Sequence, residues 1–104
     1  LIGDDDPLRG EILQNLGEAA LLAGAEQDAV KAFGAARAAL HAASNPIGAA
    51  RAAQSTGHAW WRQEAIDQAR VAFEDARMLL EVSPGSELVS VLIDLERTAI
   101  GRQK

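Results

Sequence analysis

The chain has 104 residues, the size of about one small domain, and its 48% hydrophobic and 24% charged residues form an ordinary globular composition. With no cysteine it can form no disulfide, thiolate nucleophile or cysteine-based zinc site. Ten basic against fifteen acidic residues give a net charge of −5, without the basic footprint that direct nucleic-acid binding needs.

The three prolines each follow a good helix-capping residue, in Asp6-Pro7, Asn45-Pro46 and Ser83-Pro84. Proline suits the first helical position and Asp, Asn or Ser can accept from the orphan amides, so each pair is expected to open a helix. From Pro7, Leu13, Leu16 and Ala20 recur at helical spacing, and Gly24 marks a stop. A second helix carries Ala29, Val30, Phe33, Ala36 and Leu40 and loses its pattern at Ser44, with the turn placed over Gly24 to Asp28. Pro46 starts a third helix through Ala50, Ala53, Gly57 and Trp60, and a fourth uses Ile66, Ala69, Phe73, Ala76 and Leu80. On that fourth helix Asp67, Arg70, Glu74, Arg77 and Glu81 read as a solvated stripe of weak ion pairs. A fifth helix, opening at Ser83-Pro84, should bury Leu88, Val91, Leu92, Leu95 and Ala99 and leave Ile93 and Ile100 outside. No segment alternates with period two long enough to predict a strand.

Gly17 and Gly57, Ala29 and Ala69, Phe33 and Phe73, and Ala36 and Ala76 are pairs separated by one and the same offset. Four landmarks at one offset predict two copies of a helical hairpin, stacked because one hairpin cannot hide its own apolar face. The 22 alanines fit close helix crossings. The boundaries that follow are a tail over 1–6, hairpins over 7–43 and 44–82, and a closing helix with its tail over 83–104. The start at Leu1, without an initiator Met or a basic leader, reads as a piece cut from a longer protein.

These residues resemble the tetratricopeptide repeat (TPR). Leu13 to Ala20, with its Leu16-Gly17 pair, is similar to the family's first-helix signature, and Gly24 falls at its turn glycine. Ala29, Phe33 and Ala36, and again Ala69, Phe73 and Ala76, match its second-helix positions. Thr56 replaces the leucine and Glu64 the turn glycine in the second unit, and extra residues around Ala43 to Gly48 lengthen the repeat beyond the family's. The resemblance implies an all-α, right-handed solenoid of antiparallel helix hairpins, two hairpins plus a terminal helix. It implies a noncatalytic scaffold that binds a peptide or partner domain on its concave surface. The longer repeat, with eight Arg against two Lys, is similar to arrays in large multidomain bacterial regulators, so a sensor or regulatory segment is the alternative reading and a helical enzyme domain a remote one.

No catalytic, cofactor or metal site is expected. His41 sits near a helix end, where the dipole suits it, and His41 and His58 are too far apart for a zinc helix. The nine glycines are scattered, not clustered into a phosphate loop. Asp4, Asp5 and Asp6 read as a solvated helix start. The resemblance places partner contacts on the first helix of each hairpin, at Gln14, Glu18 and Leu21 and at Arg51, Gln54, His58 and Trp61. A basic clamp for an acidic tail is not matched, because Glu18 is acidic and Ser55 neutral. Trp60 and Trp61 lie about 100° apart on a helix, so one is expected in the core and the other facing the groove or a further repeat, and in the groove reading Trp61 is the apolar anchor. Expected partners are proteins or peptides, with self-association or packing on further repeats and no membrane or direct nucleic acid; the expected location is cytoplasmic.

Overall fold

The computed structural model describes residues 7–81 and 86–102. The described chain is all-helical, with no strand among the described residues. Its helices are α1 (Pro7–Leu22), α2 (Glu26–Ala42), α3 (Pro46–Arg62), α4 (Ile66–Leu80) and α5 (Ser86–Arg102). Each packs against its chain neighbours, and α3 also touches α5. None of them is long and apolar enough to cross a membrane.

Three short turns set the spacing. Residues 23–25, 43–45 and 63–65 join successive helices, and the middle residue of each, Gly24, Ser44 or Glu64, has a positive φ of 81°, 60° or 60°. The amides of Ala25, Asn45 and Ala65 donate to the carbonyls of Ala20, Leu40 and Trp60 at 2.8, 2.9 and 3.0 Å. Those of Gly24, Ser44 and Glu64 donate to Leu21, His41 and Trp61 at 3.1, 3.0 and 2.9 Å. This pair of bonds is the Schellman closure, which satisfies the last carbonyls of a helix through one left-handed residue. The turn expected over Gly24 to Asp28 is therefore shorter, ending at Ala25, and α2 opens at Glu26. The extra residues expected near Ala43 to Gly48 do not form a longer connector: residues 43–45 make a turn as short as residues 23–25. Asn45 caps α3 by accepting the Gly48 amide at 2.9 Å, with Pro46 at the helix start. The starts expected at Asp6 and at Ser83-Pro84, and the Asp4 to Asp6 cluster, lie outside the described residues.

In the core, small residues of α1 and α3 face the rings and aliphatic side chains of α2 and α4, while α5 brings Val91 and Leu95. Phe33 and Phe73 are fully buried. A Cβ added to Gly17 would lie 2.5 Å from Phe33 Cδ1, and one added to Gly57 would lie well under 3.0 Å from the Phe73 ring. Ala29, Ala36, Leu40, Ala50, Ala53, Ala69, Ala76 and Leu80 are buried as their spacing predicts. Leu16 is not: it is 58% exposed, because no helix among the described residues covers that side of α1. On α5 the buried stripe is Val91, Asp94, Leu95 and Thr98, while Leu92 and Ala99 face outward with Ile93 and Ile100. Two polar side chains thus take places expected of apolar ones; Thr98 is accommodated by donating to the Leu95 carbonyl at 2.6 Å. The side chain of Leu88 lies outside the described set.

On the α4 charge stripe Glu74 pairs with Arg77 at 3.0 Å, and Arg77 also pairs with Glu81. Arg70 leaves that stripe and reaches Thr98 Oγ1 of α5 at 3.5 Å. His41 is exposed in the last turn of α2.

Two glycines should respond in opposite directions. Gly57→Ala is expected to lower stability by about 1–3 kcal/mol, because its methyl group overlaps the Phe73 ring. Gly34→Ala, on an exposed stretch of α2 where a Cβ would meet nothing, is expected to raise it by about 0.8–1 kcal/mol through helix propensity. Glu64→Gly relieves a left-handed conformation and is expected to stabilise by up to about 1 kcal/mol. Urea unfolding of the three variants checks all three signs.

Candidate functional site

Gln14 and Glu18 of α1 and Arg51, Gln54 and His58 of α3 lie on one face, which α5 extends. Between α1 and α3 runs an open groove of about 320 Å³, bounded by Glu11, Gln14, Asn15 and Glu18 on α1 and by Asn45, Gly48 and Arg51 around the start of α3, with Leu40 at its base. Gln14, Glu18 and Arg51 are thus brought together. Glu11, Asn15 and Asn45 join them; nothing local in the sequence marks these three for a groove, and only the approach of α3 to α1 makes them its walls.

Gln14 does more than line the groove. Its Nε2 donates to Ser55 Oγ of α3 at 3.0 Å, while its Oε1 is buried without a hydrogen-bond partner. One repeat further on, Gln54 makes the corresponding tie from α3 to α5, donating to Asp94 Oδ2 at 2.8 Å and to Ser90 Oγ at 2.9 Å. His58 donates from Nε2 to the same Asp94 oxygen at 2.8 Å, and its ring meets Phe73 edge-on at a centroid distance of 5.4 Å. Arg97 stands 3.8 Å from the other Asp94 oxygen. The Asp94 side chain is only 8% exposed, against 48% for His58.

The face therefore divides. Its α1/α3 half is open, whereas in its α3/α5 half Gln54 and His58 are spent on Asp94, leaving a cavity of only about 20 Å³ among His58, Trp61, Phe73, Asp94 and Arg97. No partner for Gln54 or His58 was readable from sequence, because Asp94 is remote from both along the chain and was assigned to no face.

Two expectations are corrected. Leu21 is half-buried and packs against Ala29, Phe33 and Ala59, so it belongs to the core edge and not to the groove. Trp60 and Trp61 do not divide into core and groove: both are half-buried and both pack against the cluster around Phe73 and Leu80. Trp60 faces the space between α2 and α4, and Trp61 lies at the α5 end beside Ile66, Arg97, Ile100 and Gly101. Trp61 is a packing residue at that end and not an anchor in the α1/α3 groove.

The opposite face is tied as well. Arg37 of α2 grips Asp75 of α4 with two parallel bonds, Nε to Oδ2 at 2.9 Å and Nη2 to Oδ1 at 2.8 Å. These bonds hold the guanidinium pKa above its ordinary value. Gln27 donates to Gln63 at 2.9 Å nearby.

His58 and Asp94 have the geometry of a base and its orienting acid, yet among the described residues no hydroxyl group is hydrogen-bonded to His58. Ser55 and Ser90 accept instead from Gln14 and Gln54. Among the described residues no group of three or more His, Cys, Asp or Glu side chains is placed to hold a metal ion. Compared with protein-family models, curated proteins and solved structures, the chain gives no match.

Removing Asp94 should loosen α5 selectively. Asp94→Ala leaves Gln54 and His58 without their acceptor, at an expected cost of about 1–3 kcal/mol. Amide hydrogen exchange should then rise first in α5 and least in α1 and α2.

Proposed function

We propose that the chain is a noncatalytic protein-interaction module that binds an extended peptide segment in the groove between α1 and α3. In this reading the helices form two antiparallel hairpins and a closing helix of a right-handed, TPR-like solenoid. Short turns between packed helices of nearly equal length support antiparallel neighbours, and the Gly17/Phe33 and Gly57/Phe73 crossings support two copies of one hairpin. A cytoplasmic location goes with the same reading.

The observation that carries the proposal is the convergence of Gln14, Glu18 and Arg51 on one open groove. Asn15 brings to it an amide that can both donate to and accept from a peptide backbone, and Asn45, whose oxygen caps α3, adds its Nδ2 donor. Glu11 and Glu18 favour a basic side chain in the bound segment, while Arg51 offers a bidentate grip on a carboxylate. Selection from a displayed peptide library on the immobilised chain is expected to enrich sequences containing Lys or Arg. Glu18→Lys should weaken the selected peptides at least about tenfold, equivalent to roughly 1.4 kcal/mol. Lys31→Glu, outside the groove, should leave them unchanged. Peptides indifferent to both Glu18→Lys and Arg51→Glu would remove the proposal.

A further inference from the structure

The face of α1 turned away from α3 is the second surface of note, and it stands apart from the peptide groove. Beside it runs an apolar groove of about 630 Å³, floored by Leu13, Leu16 and Ala20 of α1 and walled by Ala32 and Ala35 of α2. One repeat further on, Ala53, Thr56 and Trp60 of α3 floor a groove of about 480 Å³ walled by Ala72 and Asp75 of α4. The two grooves match position for position. They differ in one respect: the second has another wall, supplied by Gly34 and Arg37 of the preceding even-numbered helix, α2. The first has no such wall among the described residues.

The floor residues point to the same vacancy. Ala52 and Ala59 of α3 are covered by α2, which brings Ala36 and Leu40 to the first and Phe33 to the second. Val91 and Leu95 of α5 are covered by α4, with Ala69, Phe73, Ala76 and Leu80. The α1 positions equivalent to Ala52, Thr56 and Ala59 in the repeat are Ile12, Leu16 and Ala19, and all three are exposed.

We infer that the outer face of α1 is a docking surface for one more helix of the α2/α4 type, bearing the stripe Ala-x-x-x-Phe-x-x-Ala-x-x-x-Leu. Both helices that cover an odd-numbered neighbour here carry that stripe, as Ala29, Phe33, Ala36 and Leu40 and as Ala69, Phe73, Ala76 and Leu80. A helix of this type is not suited to the outer face of α5. There the places equivalent to Gly57 hold Glu96 and Arg97, where a ring would need bare backbone.

The test replaces residues 1–5 with a copy of residues 26–45, which keeps the register of the repeat. The extended protein should melt at least about 4 °C above the original chain. Leu16→Glu should abolish that gain while barely moving the midpoint of the unextended chain, in which Leu16 is exposed. An unchanged midpoint on extension, or an equal effect of Leu16→Glu with and without it, overturns the inference. So does sedimentation of the unextended chain as a dimer that Leu16→Glu converts to monomer, since the face then belongs to a second copy.

Discussion

The crossing of a phenylalanine over a glycine is the constraint on which the rest of this molecule depends. At Gly17 and Gly57 the missing side chain lets a ring from the next helix lie against bare backbone. That contact sets how near the two helices can come, and the alanines at 29, 36, 69 and 76 are small because the helices are already close. Each ring lies between the helices on either side of its own, as Phe33 does between Gly17 of α1 and Ala59 of α3. The crossing therefore fixes the spacing of three successive helices together.

Polar ties act on the two outer faces of this apolar centre. Gln14 with Ser55 and Gln54 with Asp94 link odd-numbered helices, and Arg37 with Asp75 links even-numbered ones. Partly exposed bonds of this kind contribute little energy each. Their contribution lies in register, because each forms only when both helices are at the right height. The open groove between α1 and α3 exists because the first tie leaves Glu11, Glu18 and Arg51 unused on either side of it. Between α3 and α5 the stronger acceptor, Asp94, draws in His58 as well and closes the equivalent space.

Features that depend on local chemistry were legible in the amino-acid sequence. Asn45-Pro46 starts a helix, and the Phe, Gly and Ala landmarks repeat because each makes the same contact twice. Features that depend on what a distant helix brings were not. Nothing local separates Leu16, left exposed, from Leu40, which is buried, or marks Asp94 and Thr98 for the interior in place of Leu92 and Ala99. The face carrying Gln14, Gln54 and His58 came with the family resemblance, but the use of two of them to hold α5 follows only from Asp94 on another helix. What the sequence did not show at the Ser44 and Glu64 turns is their left-handed backbone, because the residue there is not glycine.

Those turns also determine which changes of length the chain can absorb. Gly24, Ser44 and Glu64 fall at equal intervals along the chain, each after a helix of nearly constant length. Inserting or deleting two helices with their turns would restore every Phe to a Gly and every tie to its acceptor. A change of a single helix with its turn would keep all the other turns intact and still exchange the roles of the helices beyond it, setting phenylalanine-bearing helices where glycine-bearing ones belong. The backbone would be indifferent to the smaller step, and only side-chain fit would oppose it. Length variation in this chain is thus quantised at twice the interval that its turns alone would permit.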